Sequence, residues 1–253
     1  MPLLDVNDIK LFYEDEGTGP GLLFLHGWAT SGRVWGAQLP EFVRTHRVVT
    51  LDWRGCGRSD HPAHGNTLDG VLDDLVAVID RLGLDRPTVV GSSIGGTFAT
   101  ELAVCHPELI SAAVAVDGPA HWPSTGMPLE QLRRDLRQDR AGTIAGWVPH
   151  WFAPGAEPAL IDWTVRQMLD SGVYIDEQFD AFLTYDPRPV LPGLMVPIHY
   201  IHGSLDTQIP VAVAHECAAV TPGSAVTEIP GVGHMPHQED PDAFNAALRK
   251  FLS

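Results

Sequence analysis

Lysine is almost missing from this chain of 253 residues: Lys10 and Lys250 are the only two, and 16 basic side chains face 32 acidic ones, a net charge of −16. An excess of that size repels polyanions, so nucleic acid and an anionic membrane surface are excluded as partners. Cysteine is scarce as well. Cys56, Cys105 and Cys217 are odd in number, far apart and in no C-x-x-C pair. That pattern excludes a disulfide framework and a zinc ribbon, and it fits a reducing compartment. No stretch approaches the ~18 apolar residues that a bilayer span needs. Met1 to Asp8 show no basic segment leading into an apolar run, so no signal peptide is expected and the expected location is cytoplasmic. There is no H-E-x-x-H pair and no glycine-rich phosphate loop; neither a metal nor a cofactor is expected.

What is present is apolar and periodic. Apolar residues make up 44% of the chain, enough for one full core, and the length suits one α/β domain with an insertion. Residues 3–14 alternate around Asn7-Asp8 as a hairpin of edge strands, and residues 14–21 read as a polar turn. Leu22–Leu25, Arg47–Leu51, Thr88–Val90, Ala112–Val116, Val196–Ile201 and Val226–Ile229 are continuous apolar runs, the signature of strands buried on both faces. Helices are predicted near 33–43, over 67–83, after Ser93 to His106, over 210–220 and from Asp240-Pro241 to the end. Alternating strands and helices imply right-handed crossovers and a mostly parallel sheet with helices on both faces. Between Gly118 and Pro192 buried-strand runs disappear, and helical pieces near 129–140, 157–170 and 176–183 replace them. We expect a core of residues 1–117 and 193–253, with 118–192 inserted as a helical cap.

The run from Pro87 to His106 carries the chemistry. Gly91, Ser93 and Gly95 form G-x-S-x-G between a strand and a helix. A serine on so sharp a turn occupies strained backbone, and its neighbours two residues either side must be small. A serine nucleophile needs a base, and the base needs a carboxylate to fix its tautomer. Both should sit beyond the C-terminal ends of strands. His234 follows the last strand, between glycines and prolines, and Asp206 follows the strand before it, giving the order Ser93, Asp206, His234. Asp117, which also ends a strand, competes for the acid; chain order alone favours Asp206. The oxyanion donors should be the backbone N–H of Ile94, just after the serine, and of Trp28, in the loop opened by His26-Gly27. His26 is expected to bond across its loop, His237 to bond within its own, and His199 and His202 to be core or loop-closing residues.

These segments resemble the α/β-hydrolase fold along the whole chain: His26-Gly27-Trp28, Asp52 to Ser59, Gly91 to Gly96, Gly203-Ser204-Leu205-Asp206 and Gly233 to Glu239. The chain is most similar to the cofactor-free haloperoxidase, arylesterase and enol-lactonase group. The resemblance implies an eight-stranded sheet, a nucleophile at Ser93, an acid at Asp206, a base at His234 and oxyanion donors at Trp28 and Ile94. Two departures from that group stand out: Ile94 replaces a common methionine, and the cap is short and has no sequence matched to the group.

Seven aromatic residues of the insertion, among them Trp122, Trp147 and Trp151, are candidates to line an apolar pocket; most of the seven are expected to form the cap's own core. Arg133, Arg134, Arg137 and Arg140 are candidates for a substrate carboxylate, but interspersed Asp135 and Asp139 favour a solvated, charge-paired helix face. The expected function is hydrolysis of a small or medium carboxylic ester or lactone, with a perhydrolase side activity. Hydrolysis of a diketone C–C bond and slow turnover by a ligand receptor are the alternatives. A monomer or small homo-oligomer is expected.

Overall fold

Asn7 accepts a positive φ of 50° and turns strand β1 (Leu3–Val6) back onto β2 (Ile9–Glu16). In the computed structural model, which describes residues 2–119 and 121–253, β2 runs two residues beyond the expected hairpin: Glu14, Asp15 and Glu16 pair with Thr50, Val49 and Val48. The polar turn is therefore shorter than its composition suggested. Side chains that alternate toward solvent on an edge ladder read as loop.

The remaining strands are β3 (Gly21–Leu25), β4 (Arg47–Asp52), β5 (Thr88–Ser92), β6 (Ala112–Val116), β7 (Ile198–Gly203) and β8 (Ala225–Ile229). They form one sheet in the order β1-β2-β4-β3-β5-β6-β7-β8, antiparallel at β1, β2 and β4 and parallel from β4 onward. The apolar runs occupy its middle, where Leu22 to Leu25 and Val89 to Val90 are fully buried. β7 starts later than expected, at Ile198. Pro197 offers no N–H and contributes only its carbonyl, to Ala113 N.

The expected helix at 33–43 is a correction. Gly36 and Pro40 divide it into a 3-10 turn, Gly32–Trp35, and a single turn, α1 (Leu39–Phe42). The helices that follow are α2 (Leu68–Arg81), α3 (Ile94–Cys105), α4 (Leu129–Gln138), α5 (Arg140–Trp147), α6 (Pro158–Leu169), α7 (Gln178–Phe182), α8 (Val211–Val220), α9 (Pro236–Glu239) and α10 (Pro241–Leu252). Thr67 caps α2 through Gly70 N, and Asp240 caps α10 through Ala243 N, with Pro241 at the first helical position. α5 was not anticipated as a separate helix; Asp139 leaves the helical conformation, ends α4 and caps α5 through Gly142 N.

All of α4 to α7 lie between β6 and β7 in the chain. Trp122 stacks on Phe182 at 4.6 Å, and Trp28, from the loop after β3, packs against Phe179 at 5.3 Å and Trp147 at 5.9 Å. Gly172 N donates to Gly55 O at 2.8 Å, a second attachment to the sheet loops. No described helix is long and apolar enough to cross a membrane.

Candidate active site

Ser93 sits between β5 and α3 with φ 53° and ψ −119°, a conformation that costs a non-glycine residue roughly 1–3 kcal/mol. Its N–H donates to Val116 O at 2.8 Å, which ties the turn to β6. The flanking glycines are required by contact. A Cβ on Gly91 would lie 2.0 Å from Gly95 O, and one on Gly95 would lie 2.7 Å from the carbonyls of Leu25 and His26. α3 begins at Ile94, so the Ile94 N–H belongs to the first turn and has no carbonyl partner within the helix.

The loop after β3 runs alongside. A side chain on Gly27 would already touch Ser93 Cβ at 3.5 Å. His26 braces this loop through Nδ1, 2.8 Å from Gly27 O, and its Nε2 accepts from Trp53 N at 3.3 Å. The next residues are the buried Trp28 and then Ala29, held at a φ of 60°. Burial lowers the His26 pKa to about 4, so the brace is neutral.

His234 and Asp206 meet beyond β8 and β7. Asp206 Oδ2 lies 2.7 Å from His234 Nδ1, and both residues are buried. Asp206 Oδ1 accepts from the N–H groups of Gln208 and Ile209 at 2.7 and 3.0 Å. Burial works to raise the Asp206 pKa, but the charge and hydrogen bond of His234, helped by His202 and Ile209 N, outweigh it and hold the carboxyl below its usual range. Since a carboxylate only accepts, Nδ1 carries the proton and Nε2 is left as the basic nitrogen. His202 donates from Nε2 to Ile209 O at 2.7 Å and closes the loop that carries Asp206.

Asp117 joins this group from the end of β6, at a φ of 45° and fully buried. Its Oδ1 accepts from Gly203 N at 2.8 Å. Burial and the neighbouring Asp206 charge push its pKa far up, so Asp117 keeps its proton while Asp206 is ionised. Asp117, Asp206 and His234 are also the one grouping of donors among the described residues compact enough to hold a cation. His234 Nδ1 is occupied by Asp206 and Asp117 Oδ1 by Gly203 N, while Asp117 Oδ2 is buried without a hydrogen-bond partner among the described residues.

The His234 loop is fastened to the inserted helices. His234 N donates to Trp151 O at 2.6 Å, and the Trp151 indole meets the His234 ring edge to face at 5.4 Å. The Glu239 carboxylate accepts from Ala153 N at 2.7 Å on one side, and from Gly233 N at 3.0 Å and Met235 N at 3.2 Å on the other. His237 corrects its expected role. Neither ring nitrogen has a hydrogen-bond partner among the described residues; the ring stacks on Trp35 at 4.3 Å, and only the backbone carbonyl bonds, to Gln38 Nε2.

Ser93 and His234 open on one enclosed cavity of about 20 Å³. Its walls bring together Trp28, Trp122, Trp147 and Trp151, with Phe179, Met127 and Gln208. Trp122 is fixed by its N–H to Thr97 Oγ1 at 3.0 Å, and Trp147 by its N–H to Gln208 Oε1 at 2.6 Å. Met127, Gln208 and the bridging role of Glu239 had no signal in the sequence, since each depends on a contact between distant segments.

Three of the four candidate arginines, Arg133, Arg134 and Arg140, are committed elsewhere. Arg133 pairs with Asp180, and Arg134 with Gln131 and Glu130. Arg140 departs from the expected solvated face. It turns inward to a bidentate pair with Asp176 at 2.8 and 3.0 Å, bonds Ser171, and lies 5.2 Å over the Trp28 ring.

Comparison with known proteins agrees with this geometry. The profile of the "Alpha/beta hydrolase family" matches residues 22–247. The bifunctional esterase/perhydrolase DCH of Acinetobacter calcoaceticus is 28% identical over 96% of each chain. The crystal structure of bromoperoxidase from Bacillus anthracis superposes with a TM-score of 0.92 at 27% identity, over 99% of each chain. Est816, described as an N-acyl homoserine lactone degrading enzyme, superposes with a TM-score of 0.89 at 28% identity, over 99% of this chain and all of that one. With its sheet order, its serine turn and a family match spanning most of its length, the chain belongs to the α/β hydrolase family.

Proposed function

We propose that this protein is a serine hydrolase of carboxylic esters or lactones of small to medium size, working through an acyl-enzyme on Ser93. Its relatives' esterase and lactone-degrading activities support the bond type. The single observation that carries the mechanism is the buried 2.7 Å hydrogen bond from His234 to Asp206, beside the cavity that Ser93 shares with His234.

In this reading His234 Nε2 takes the Ser93 hydroxyl proton as Oγ bonds to the carbonyl carbon. The carbonyl oxygen becomes an oxyanion held by the N–H groups of Ile94 and Trp28. Asp206 stabilises the imidazolium, which then returns the proton to the departing alkoxide. Water, deprotonated by the same nitrogen, adds to the acyl carbon, and Ser93 leaves with the acid product released. Hydrogen peroxide in the place of water gives a peracid. Residues 118–192 act as a cap over a core of 1–117 and 193–253, and Trp122, Trp147 and Trp151 contact the substrate.

A pH-stat panel of esters, lactones and diketones, run beside Ser93→Ala, tests this. Acid release from esters or lactones that disappears in Ser93→Ala is expected. Full activity in Ser93→Ala refutes the acyl-enzyme, and release from diketones alone reassigns the bond.

A further inference from the structure

Building on the proposed hydrolase reaction, we propose that the cleft between α4, α5 and the turn at Thr207-Gln208 binds the part of the substrate remote from the scissile bond. It selects uncharged chains over carboxylates and communicates with Ser93 through a side-chain door made by Trp147 and Gln208.

The cavity at Ser93, about 20 Å³, holds no more than a water or so, and no ester fits in it. The cleft, at about 830 Å³, has the size of a small-molecule site. Met127, Trp147 and Gln208 line both spaces. These three residues form the shared boundary of the two spaces. Trp147, half-buried on the last turn of α5, is held there by its bond to Gln208 Oε1. Gln208 has a double attachment. Its backbone N–H holds Asp206 Oδ1 at 2.7 Å, and its side chain latches Trp147. Turning the side chain opens the partition and leaves the Asp206 contact in place. The opening breaks three neutral hydrogen bonds of the Gln208 amide, to Trp147 Nε1, His150 O and Thr207 Oγ1, and water in the open cleft replaces them.

Charge decides what enters. Asp135 and Asp139 line the cleft, no Lys or Arg does, and the rest of its polar lining is amide, hydroxyl and imidazole. Of the cations on the neighbouring helix faces, Arg133, Arg134 and Arg140 are held by Asp180, Glu130 and Asp176. A carboxylate in the cleft meets two negative charges and no positive one. An amide or hydroxyl finds Gln138 and Thr143 instead.

Gly146 gives the test. It lines the cleft from an exposed position on α5, and a Cβ built on it meets nothing within 4 Å. A helical site gains propensity when glycine is replaced, so Gly146→Phe fills the cleft and folds. The substrates are p-nitrophenyl acetate and two p-nitrophenyl esters of equal acyl length, one ending in a primary amide and one in a carboxylate. Wild type is expected to favour the amide over the carboxylate at least tenfold in kcat/KM, and Asp135→Asn combined with Asp139→Asn is expected to narrow that ratio. Gly146→Phe should lower kcat/KM for the amide ester at least tenfold and leave the acetate within twofold. Trp147→Phe, which keeps a ring and removes the latching N–H, should raise the amide-to-acetate ratio. Normal acetate turnover with long esters untouched by Gly146→Phe overturns the cleft alone, and equal rates for amide and carboxylate overturn the charge selection. No acetate turnover, together with no labelling of Ser93 by a fluorophosphonate, overturns the hydrolase reading and the cleft with it.

Discussion

Asp117 and Asp206 bring buried carboxyl oxygens within 4.8 Å of each other and of the His234 ring. Two carboxylates so close in an apolar interior do not both ionise, and the hydrogen bonds divide the roles. Asp206 receives two N–H groups and the imidazole, and Asp117 receives one N–H. Replacing an acid that is already neutral by a neutral amide changes little, so Asp117→Asn should keep kcat/KM within about threefold. Asp206→Asn removes the acceptor that orients His234 and should cost on the order of 10³–10⁴. Steady-state kinetics on one ester read both, and the opposite ranking gives the acid's role to Asp117.

Glu239 is a positioning residue for the proposed base. It never reaches the substrate cavity, yet it holds three backbone N–H groups from the two segments that flank His234. Glu239→Gln keeps an acceptor oxygen and Glu239→Ala keeps none. We expect kcat to fall about tenfold in Gln and about a hundredfold in Ala, with KM little changed. A loss confined to KM, or equal in both variants, contradicts the role.

Acid should destabilise the fold between about pH 6.5 and 4. Burial lowers the His237 pKa to about 3 and the His26 pKa to about 4, whereas both are near 6.5 in an unfolded chain. In that window the unfolded chain binds more protons, so stability is full above pH 6.5 and is lost as pH falls, by up to ~1.4 kcal/mol per unit per histidine. His237→Phe keeps the stacking on Trp35 and the edge contact with Phe244 and removes one titrating ring. Thermal melts at pH 8 and pH 5 should show a smaller drop in Tm for this variant than for wild type; equal drops exclude His237 as a source of the acid sensitivity.

Gly95→Ala should disable the serine turn. The added methyl meets two carbonyl oxygens at 2.7 Å, both on the backbone of β3 and its loop, which has no slack. A destabilisation of roughly 1–3 kcal/mol is expected from such overpacking, with fluorophosphonate labelling of Ser93 slowed even at temperatures where the protein is folded. Unchanged Tm and labelling would mean that the turn is looser than it is drawn.

The sheet and the chemical centre were legible because their physics is local. Leu22 to Leu25 can only be a strand buried on both faces, and Gly91 and Gly95 answer to contacts made within a few residues of Ser93. The strand-end rule then placed Asp206 and His234 near each other without knowledge of either contact. What stayed hidden depends on partners far along the chain. Trp147 and Gln208 are 61 residues apart, and nothing in either neighbourhood announces their bond. Arg140 shares its charge pattern with the solvated Arg134, and only Asp176 and Trp28 draw it inward. The helix expected over 33–43 failed for the opposite reason. Its apolar spacing was real, but Gly36 and Pro40 carried more weight than the periodicity.

The Glu239 bridge also limits how such a protein can diversify. Because Ala153 and the loop of His234 share one carboxylate, the inserted helices are not a cassette to be exchanged whole. A foreign insertion must place a backbone N–H where Ala153 places its own, or the loop of His234 loses its tie to the inserted helices through Glu239. The seam at Trp147 and Gln208 carries no such obligation, since a side chain there can change while the backbone beneath it stays pinned to Asp206. On the proposed reading of the cleft, substrate preference can change by single substitutions along α4 and α5, whereas exchange of the helices above the sheet must also preserve the Glu239 contact.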